Sequence, residues 1–139
     1  MGDSISKYYE IASKMNTKKI QEFAEEEINQ TVTLFEEEYP ELAEEYQNIQ
    51  EEMYETFCKK QRNYGPDNIS VGSTLETDDE IKISLTGLWF RMNDKIQRLK
   101  QLVVLGQPDE VGENIQDTYE DMSVYGIIAQ IVQRKKWAK

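Results

Sequence analysis

The chain has 139 residues, 38% hydrophobic and 31% charged, which suffices for a single domain that buries about two-thirds of its unfolded surface. Its net charge of −11 repels a phosphate backbone and argues against a nucleic-acid partner. The single cysteine, Cys58, excludes an internal disulfide and a cysteine-rich zinc site. The chain has no histidine, which excludes histidine-activated nucleophiles. Any chemistry would therefore depend on carboxylates and a hard cation such as Mg²⁺.

The start of the sequence, MGDSISKYYEIASK, lacks the apolar run of a signal peptide. No segment approaches the roughly 18 apolar residues that a membrane-spanning helix needs. These two features predict a cytoplasmic protein without a membrane partner.

Apolar residues recur at helical spacing in residues 17–38 and predict a first helix, with Asn16 or Thr17 as its N-cap. Pro40 interrupts the pattern, because proline disfavours a helical residue before it and is accepted in the first turn of the next helix. The second helix is predicted from about residue 40 to 63. Its apolar stripe consists of Leu42, Tyr46, Ile49, Met53 and Phe57.

A long loop is predicted for residues 65–79, where glycine, proline and small polar residues are concentrated. Thr77 and Glu80 have the spacing of a capping box at the start of a third helix, predicted at about 80–105. Ser84 is an alternative cap for this helix.

Residues 106–114 form the next connector, and Pro108 and Asp109 within it suit the start of a last helix, predicted at about 109–134. The second half of this helix is apolar on nearly all sides. Because the sequence contains no convincing strand pattern, it predicts an all-α bundle of about four main helices.

Charged residues form a second face on the predicted third helix, beside its apolar stripe. They are spaced three or four residues apart and are Arg91, Asp94, Lys95 and Arg98. One interpretation is a surface ladder, since Asp94 precedes Arg98 by four residues in the favourable order. The other is a small basic patch that binds phosphate or a metal-bridged phosphate.

Two aspartates of the last helix, Asp117 and Asp121, are four residues apart and can reach one cation as hard oxygen ligands. Their line on the helix continues into apolar residues, which indicates a position at the mouth of a cleft. The alternative interpretation places Asp117 near the helix N-terminus for its favourable interaction with the helix dipole. Glu52 and Glu55 on the second helix have E-x-x-E spacing, which can also hold a metal ion but occurs often by chance in so acidic a chain.

Asp121 lies just before a continuous apolar run, VYGIIAQIV. A partly desolvated carboxylate at this position needs a compensating cation. The sequence offers a metal ion shared with Asp117, or a guanidinium group from Arg91 or Arg98.

Three segments carry a resemblance to a known family: KKQRNYGPDNIS at 59–70, LWFRMNDKIQRLKQL at 88–102 and DTYEDMSVYGIIA at 117–129. Together they resemble the nucleotide modification associated domain, type one, a family of phages and bacteria. The matching positions are Lys59, Lys60, Asn63, Tyr64, Gly65, Asn68, Arg91, Asp94, Lys95, Arg98, Leu99, Asp117, Asp121 and Tyr125. The resemblance implies one domain, 1–139, in which a helical extension (1–45) precedes a nucleotide-handling core (46–137).

The last helices are also similar, more distantly, to the MazG-like all-α nucleoside-triphosphate pyrophosphatases. Those proteins bind Mg²⁺ through E-x-x-E on one helix and E-x-x-D on another, and they cleave a nucleotide between its α and β phosphates. The resemblance implies a MazG-like bundle and Mg²⁺ as cofactor. The candidate metal ligands are Asp117, Asp121, Glu52 and Glu55. The sequence departs from the pattern where Arg98 replaces an acid and where Thr118 replaces the glutamate of E-x-x-D.

The residues that the resemblance implies for nucleotide binding come from the turn after the second helix and from the last two helices. They are Lys60, Tyr64, Asn68, Arg91, Asp94, Lys95, Arg98 and Tyr125. Tyr64 either stacks on a base, an interaction worth roughly 1–3 kcal/mol in nucleic-acid binders, or packs against the bundle. No catalytic residue is identified.

Three hypotheses on function follow. The chain binds a nucleotide or modified nucleotide and hydrolyses it with Mg²⁺, or it binds without chemistry and sequesters a nucleotide messenger of host anti-phage defence. The third hypothesis is an acidic interaction protein, such as a DNA mimic, that occupies a basic surface. If a phage encodes the chain, the expected location is the host cytoplasm.

The first helix has an apolar stripe of its own, outside the family resemblance, formed by Ile20, Phe23, Ile28 and Phe35. This stripe must cover either the same bundle or another subunit. Because MazG-like domains generally bury helices across subunit interfaces, the resemblance implies a homo-oligomer.

Overall fold

The computed structural model describes residues 2–139, which are mostly α-helical. The helices are α1 (Gly2–Glu38), α2 (Pro40–Tyr64), α3 (Asp67–Ser70), α4 (Asp78–Leu99) and α5 (Ile115–Gln133), and a π-helical turn (Lys100–Val104) continues α4. No strand occurs in this range, so the predicted all-α fold with four main helices is confirmed. None of the described helices combines the length and the apolar character that crossing a membrane requires.

The chain divides into two compact units, one that ends at Gln50 and one of Glu51–Lys139. The division falls within α2, so each unit contains part of that helix. The prediction of one domain, with an extension at 1–45 and a core at 46–137, stays a prediction.

α1 begins at Gly2, well before the predicted start at residue 17. Both predicted N-caps are therefore wrong, since they lie inside the helix, where Thr17 Oγ1 donates to the Ser13 carbonyl at 2.9 Å. The stretch before Thr17 stays helical because no proline interrupts it. The pair of Glu10 and Lys14, 2.9 Å apart, also has the i, i+4 spacing that stabilises helices.

α1 ends at Glu38, where Pro40 begins α2 as the sequence predicts. The Tyr39 N–H still donates to the Phe35 carbonyl at 2.8 Å, so the interruption is short. Proline is tolerated at the start of α2 because the first turn of a helix leaves its N–H groups without intrahelical partners.

The core of the unit Glu51–Lys139 includes residues of α3, α4 and α5 and of the segment after α5. Its buried side chains, each at most 6% exposed, are Ile69, Leu75, Leu88, Ile128, Val132 and Trp137. Trp137 packs edge-to-face on Phe57 of α2 with ring centroids 6.3 Å apart, and its Nε1 donates to the Pro66 carbonyl at 3.1 Å. The C-terminal segment thus joins the core to the turn that follows α2.

The capping box predicted for the third helix is confirmed. The Glu80 N–H donates to Thr77 Oγ1 at 3.2 Å, and the Thr77 N–H donates to the Glu80 carboxylate at 3.1 Å. Ser84, the alternative cap, is buried within α4, where its Oγ donates to the Ile69 carbonyl at 2.8 Å. This bond ties α4 to α3, a short helix inside the loop predicted at 65–79.

α5 begins at Ile115 rather than at the predicted residue 109. The Asp109 carboxylate instead accepts two backbone N–H groups from the next three residues, at 3.1 and 3.2 Å, and closes a turn. Gly112 has a φ of +74° in this turn, a conformation that glycine adopts without strain. The actual N-cap is Asn114, whose Oδ1 accepts from the Gln116 N–H at 3.0 Å.

Candidate functional site

A cavity of about 330 Å³ is lined by residues of α2, α3, α4 and α5 in the unit Glu51–Lys139. Six residues predicted to bind a ligand or a metal line it together: Lys60, Tyr64, Asn68, Arg91, Asp121 and Tyr125. The volume is at the lower end of the range of about 300–1,000 Å³ that is typical of small-molecule sites.

One part of the lining is apolar and continuous with the core. Its side chains are Met53, Phe57, Ile69, Val124 and Ile128. Ile69 and Ile128 are only 3% and 4% exposed, so the cavity is built directly on fixed packing. An apolar surface with a few convergent polar groups is the usual construction of a small-molecule site.

The turn between α2 and α3 positions Asn68 in the lining. Gly65 ends α2 with a φ of +71°, and its N–H donates to the Gln61 carbonyl at 2.9 Å. The Gln61 side-chain amide donates to the Gly65 carbonyl and, at 3.1 Å, to Asn68 Oδ1. Arg91 of α4 donates to the Asn68 backbone carbonyl at 2.9 Å. The turn therefore holds two polar side chains of the lining: Gln61 holds the Asn68 side chain, and the Asn68 carbonyl holds the Arg91 guanidinium.

The two tyrosines of the lining differ in exposure. Tyr64 is 65% exposed and lines the cavity, and the alternative that it packs against the bundle stays a prediction. Tyr125 is half-buried and packs against the core. An exposed ring beside a cavity is available to stack on a planar ligand, and that role of Tyr64 stays a prediction.

Asp121 lies at the centre of the charged part of the lining. Lys95 Nζ of α4 is 2.9 Å from its Oδ2, and Lys60 Nζ of α2 is 3.6 Å from its Oδ1. The side chains of Asp121 and Lys95 are 24% and 20% exposed, whereas that of Lys60 is 57% exposed. The hydrogen bond to Asp121 raises the pKa of Lys95 above its ordinary value and outweighs the opposing effect of burial.

The prediction that an arginine guanidinium compensates Asp121 is wrong, because lysine ammonium groups contact the carboxylate instead. Lys95 lies about one turn from both Arg91 and Arg98 on α4, and each arginine is engaged elsewhere. Arg91 donates to the Asn68 carbonyl in α3, and Arg98 donates to the connector before α5.

Arg98 stabilises the connector between α4 and α5. It donates to Thr118 Oγ1 and, at 2.6 Å, to the Glu113 carbonyl, and its guanidinium lies 3.6 Å from the Asp109 carboxylate. Thr118 is fully buried. Arg98 and Thr118 are the two positions at which the sequence departs from the MazG-like metal pattern, and here they bond to each other.

The charged face predicted on the third helix is divided between two environments. Arg91 lines the cavity, and Lys95 pairs with the cavity residue Asp121. Asp94 is exposed, and neither Asp94 nor Arg98 belongs to the lining. The helix rise explains the division, since Arg91 and Arg98 share a side of α4 but are about 10 Å apart along it.

The four carboxylates predicted as Mg²⁺ ligands are not grouped. Asp117 is exposed in the first turn of α5, and Glu52 and Glu55 are exposed on α2. Lys59 donates to Glu55 at 2.6 Å, and this bond lowers the pKa of Glu55. Within residues 2–139, no three His, Cys, Asp or Glu residues form a group that could hold a metal ion.

Asp121 is the member of this set that lines the cavity, and it already contacts two ammonium groups. A divalent cation bound there would face two positive charges, so the residues around the cavity do not fit a site built from protein ligands alone. The arrangement suits an anionic ligand better, and Mg²⁺ binding stays a prediction.

Gln61 and Glu120 line the cavity but were not predicted from the sequence. Gln61 is adjacent in sequence to the predicted site residue Lys60, and Glu120 is adjacent to Asp121. That adjacency is the only feature of the sequence that could have indicated their position in the cavity. Neighbours on a helix are about 100° apart around its axis, so adjacency alone does not predict a shared site.

Comparison of the chain with protein-family models, with curated proteins and with solved structures finds no match. The resemblance to the nucleotide modification associated domain and to MazG-like proteins therefore rests on the motifs alone and stays a prediction.

Proposed function

We propose that the chain is a binding protein for a small nucleotide-like anion, which occupies the cavity between α2, α3, α4 and α5. The observation that carries the proposal is the composition of one lining, in which two cations, Lys60 and Arg91, and two tyrosines adjoin an apolar surface. A nucleotide has the matching parts, since it joins a flat apolar base to a negatively charged phosphate.

Lys60 is the cation best placed to meet phosphate. Its ammonium group is 3.6 Å from Asp121, longer than a normal hydrogen bond, and its side chain is 57% exposed, so it can turn towards a ligand at little cost. Lys95 differs, because its 2.9 Å contact engages it with Asp121 and its raised pKa keeps it positively charged. Lys95 thereby offsets the negative charge that Asp121 would otherwise present to an anion.

Binding without turnover is the form of the hypothesis that we favour. Hydrolysis between two phosphates needs Mg²⁺ to neutralise the developing charge, and Asp121, one of the two carboxylates that line the cavity with Glu120, is engaged by lysines. A nucleotide binder of this kind would act by sequestration, and a messenger of anti-phage defence is the class of ligand that we propose for it.

Calorimetry tests this proposal. The protein is titrated with nucleoside mono-, di- and triphosphates, cyclic dinucleotides and ADP-ribose, each in EDTA and in Mg²⁺, and the ligand is then recovered by chromatography. We expect micromolar or tighter binding of at least one ligand, without dependence on Mg²⁺ and without product. Release of a cleaved product, or no heat with any ligand, would contradict the proposal.

Replacing Lys60 with glutamine is expected to weaken binding of that ligand about tenfold, which corresponds to about 1.4 kcal/mol. The melting temperature should change little, because the side chain is exposed and its ion pair is long. The matched control is Lys59→Gln, which removes the neighbouring ammonium group, paired with Glu55 outside the cavity lining. Equal affinities of the two variants would show that Lys60 does not contact the ligand.

A further inference from the structure

The large apolar side chains of α1 are exposed, from 44% at Phe35 to 71% at Tyr8. Within the unit that ends at Gln50, the described core is limited to one buried residue, Ala43 of α2. Helices in water gain most of their stability by packing an apolar face, so a helix of 37 residues with this exposure needs a covering surface.

One group of apolar side chains forms a stripe along α1, which the polar residues Asn16, Glu27 and Gln30 interrupt. At 100° per residue, its members fall within about a quarter of the circumference of the helix. They are Ile5, Tyr9, Ala12, Ile20, Phe23 and Leu34. Ile28 and Phe35, which were predicted to lie on one stripe with Ile20 and Phe23, lie about 100–120° from the centre of this stripe and do not belong to it. Several are 11 residues apart, which is close to three full turns, so the stripe runs nearly parallel to the helix axis.

The charges of α1 are strongly polarised along the same axis. Residues 4–19 contain four lysines and one glutamate, whereas residues 20–38 contain seven glutamates and no lysine or arginine. A parallel pair of such helices would place the glutamate-rich halves side by side. An antiparallel pair would place each lysine-rich half against a glutamate-rich half.

We propose that α1 is a homodimerisation helix, whose apolar stripe packs antiparallel on the same stripe of a second copy of the chain. The occupant is a second copy because the charge pattern of α1 is complementary to itself when one helix is reversed.

Charges at one edge of the stripe agree with this orientation. By helical geometry, Lys19, Glu26 and Glu37 lie on the same edge. In an antiparallel pair related by a two-fold axis, each edge faces the same edge of the other copy. With the two-fold axis between residues 22 and 23, close to the middle of α1, each Lys19 faces the Glu26 of the other helix.

The available surface is large enough for a stable dimer. A large aromatic side chain buries about 150–250 Å² when it is fully covered, and the stripe carries exposed Tyr9 and Phe23 besides its aliphatic residues. Covering the stripe over the helix length of about 55 Å would reach the roughly 1,200 Å² that the smallest stable interfaces bury.

Sedimentation equilibrium of the full chain at micromolar concentration is expected to give twice the chain mass of 16.3 kDa. Ile20→Asp, on the stripe, should weaken dimerisation about tenfold or more. Its matched control is Ile11→Asp, an exposed isoleucine on the opposite side of α1, which should leave dimerisation within about twofold. A mass of one chain, or binding of the monomer to anionic lipid vesicles through this face, would overturn the proposal.

Orientation is tested separately. Lys19→Glu should weaken the dimer, and adding Glu26→Lys should restore it, which a merely unfolded variant would not do. Spin labels at Thr33→Cys, in a Cys58→Ser background without other cysteines, should be about 32 Å apart along the axis of an antiparallel dimer that pairs Lys19 with Glu26. A dimer with labels within about 20 Å would show parallel helices and overturn the proposed arrangement.

Discussion

Replacing Trp137 with alanine is expected to destabilise the protein by about 3–5 kcal/mol, the range typical of a buried aromatic residue. Its side chain is 6% exposed, packs on Phe57 and donates a hydrogen bond to the Pro66 carbonyl. The variant loses the core contact and the tryptophan hydrogen bond, although the Pro66 carbonyl keeps the N–H groups of Ile69 and Ser70 as donors. Urea unfolding followed by circular dichroism measures the free-energy difference without depending on tryptophan fluorescence.

Trp89→Ala is the matched control, because this second tryptophan is 59% exposed on α4. Its replacement should change the free energy of unfolding by less than about 0.5 kcal/mol. Trp137→Phe separates packing from hydrogen bonding, since it keeps most of the ring and should lose only about 1–2 kcal/mol. If Trp137→Ala and Trp89→Ala were equally stable, the C-terminal segment would not be part of the core.

Helix starts were predicted best where a motif of two residues, and not a single residue, marks the helix end. The start of α4 was found because Thr77 and Glu80 each satisfy a backbone N–H of the other residue. The start of α5 was missed because a lone aspartate is ambiguous: Asp109 closes a turn with the same type of bond that an N-cap makes. The position of Trp137 was not predicted, since no helical periodicity extends into the segment after α5.

The cavity was predicted in part because side chains spaced by whole turns share one side of a helix. Lys60 and Tyr64 on α2, and Asp121 and Tyr125 on α5, are each four residues apart and line it together. The spacing of residues does not say how far along the helix axis a side chain lies from the cavity, however. For that reason Arg98 of α4 was predicted among the ligand-binding residues, although it does not line the cavity. The pairing of lysines with Asp121 depends on how three helices pack and has no counterpart in the sequence.

Replacing Lys95 with methionine is expected to cost about 1–3 kcal/mol of stability, because Asp121 then retains only the longer contact to Lys60. The expected value lies between that of an exposed pair, about 0–1 kcal/mol, and the loss of one partner from a buried pair, about 3–5 kcal/mol, since both side chains are partly exposed. A double-mutant cycle with Asp121→Asn should give a coupling of about 1–2 kcal/mol. A cycle of Lys59→Met with Glu55→Gln, on an exposed pair of the same chemistry, should show a smaller coupling.

The pH dependence of the same variant identifies the pair as ionic. The pKa of Lys95 is raised above its ordinary value of 10.5 by the hydrogen bond to Asp121, so the folded chain binds this proton more tightly than the unfolded chain. The stabilisation is therefore fully present below about pH 10 and is lost as the pH rises through the folded pKa. The difference in unfolding free energy between the native chain and Lys95→Met should be constant from about pH 7 to 9 and shrink above pH 10.5. A difference that persisted unchanged to pH 12 would mean that Lys95 stabilises the fold through the packing of its methylene groups and not through its charge.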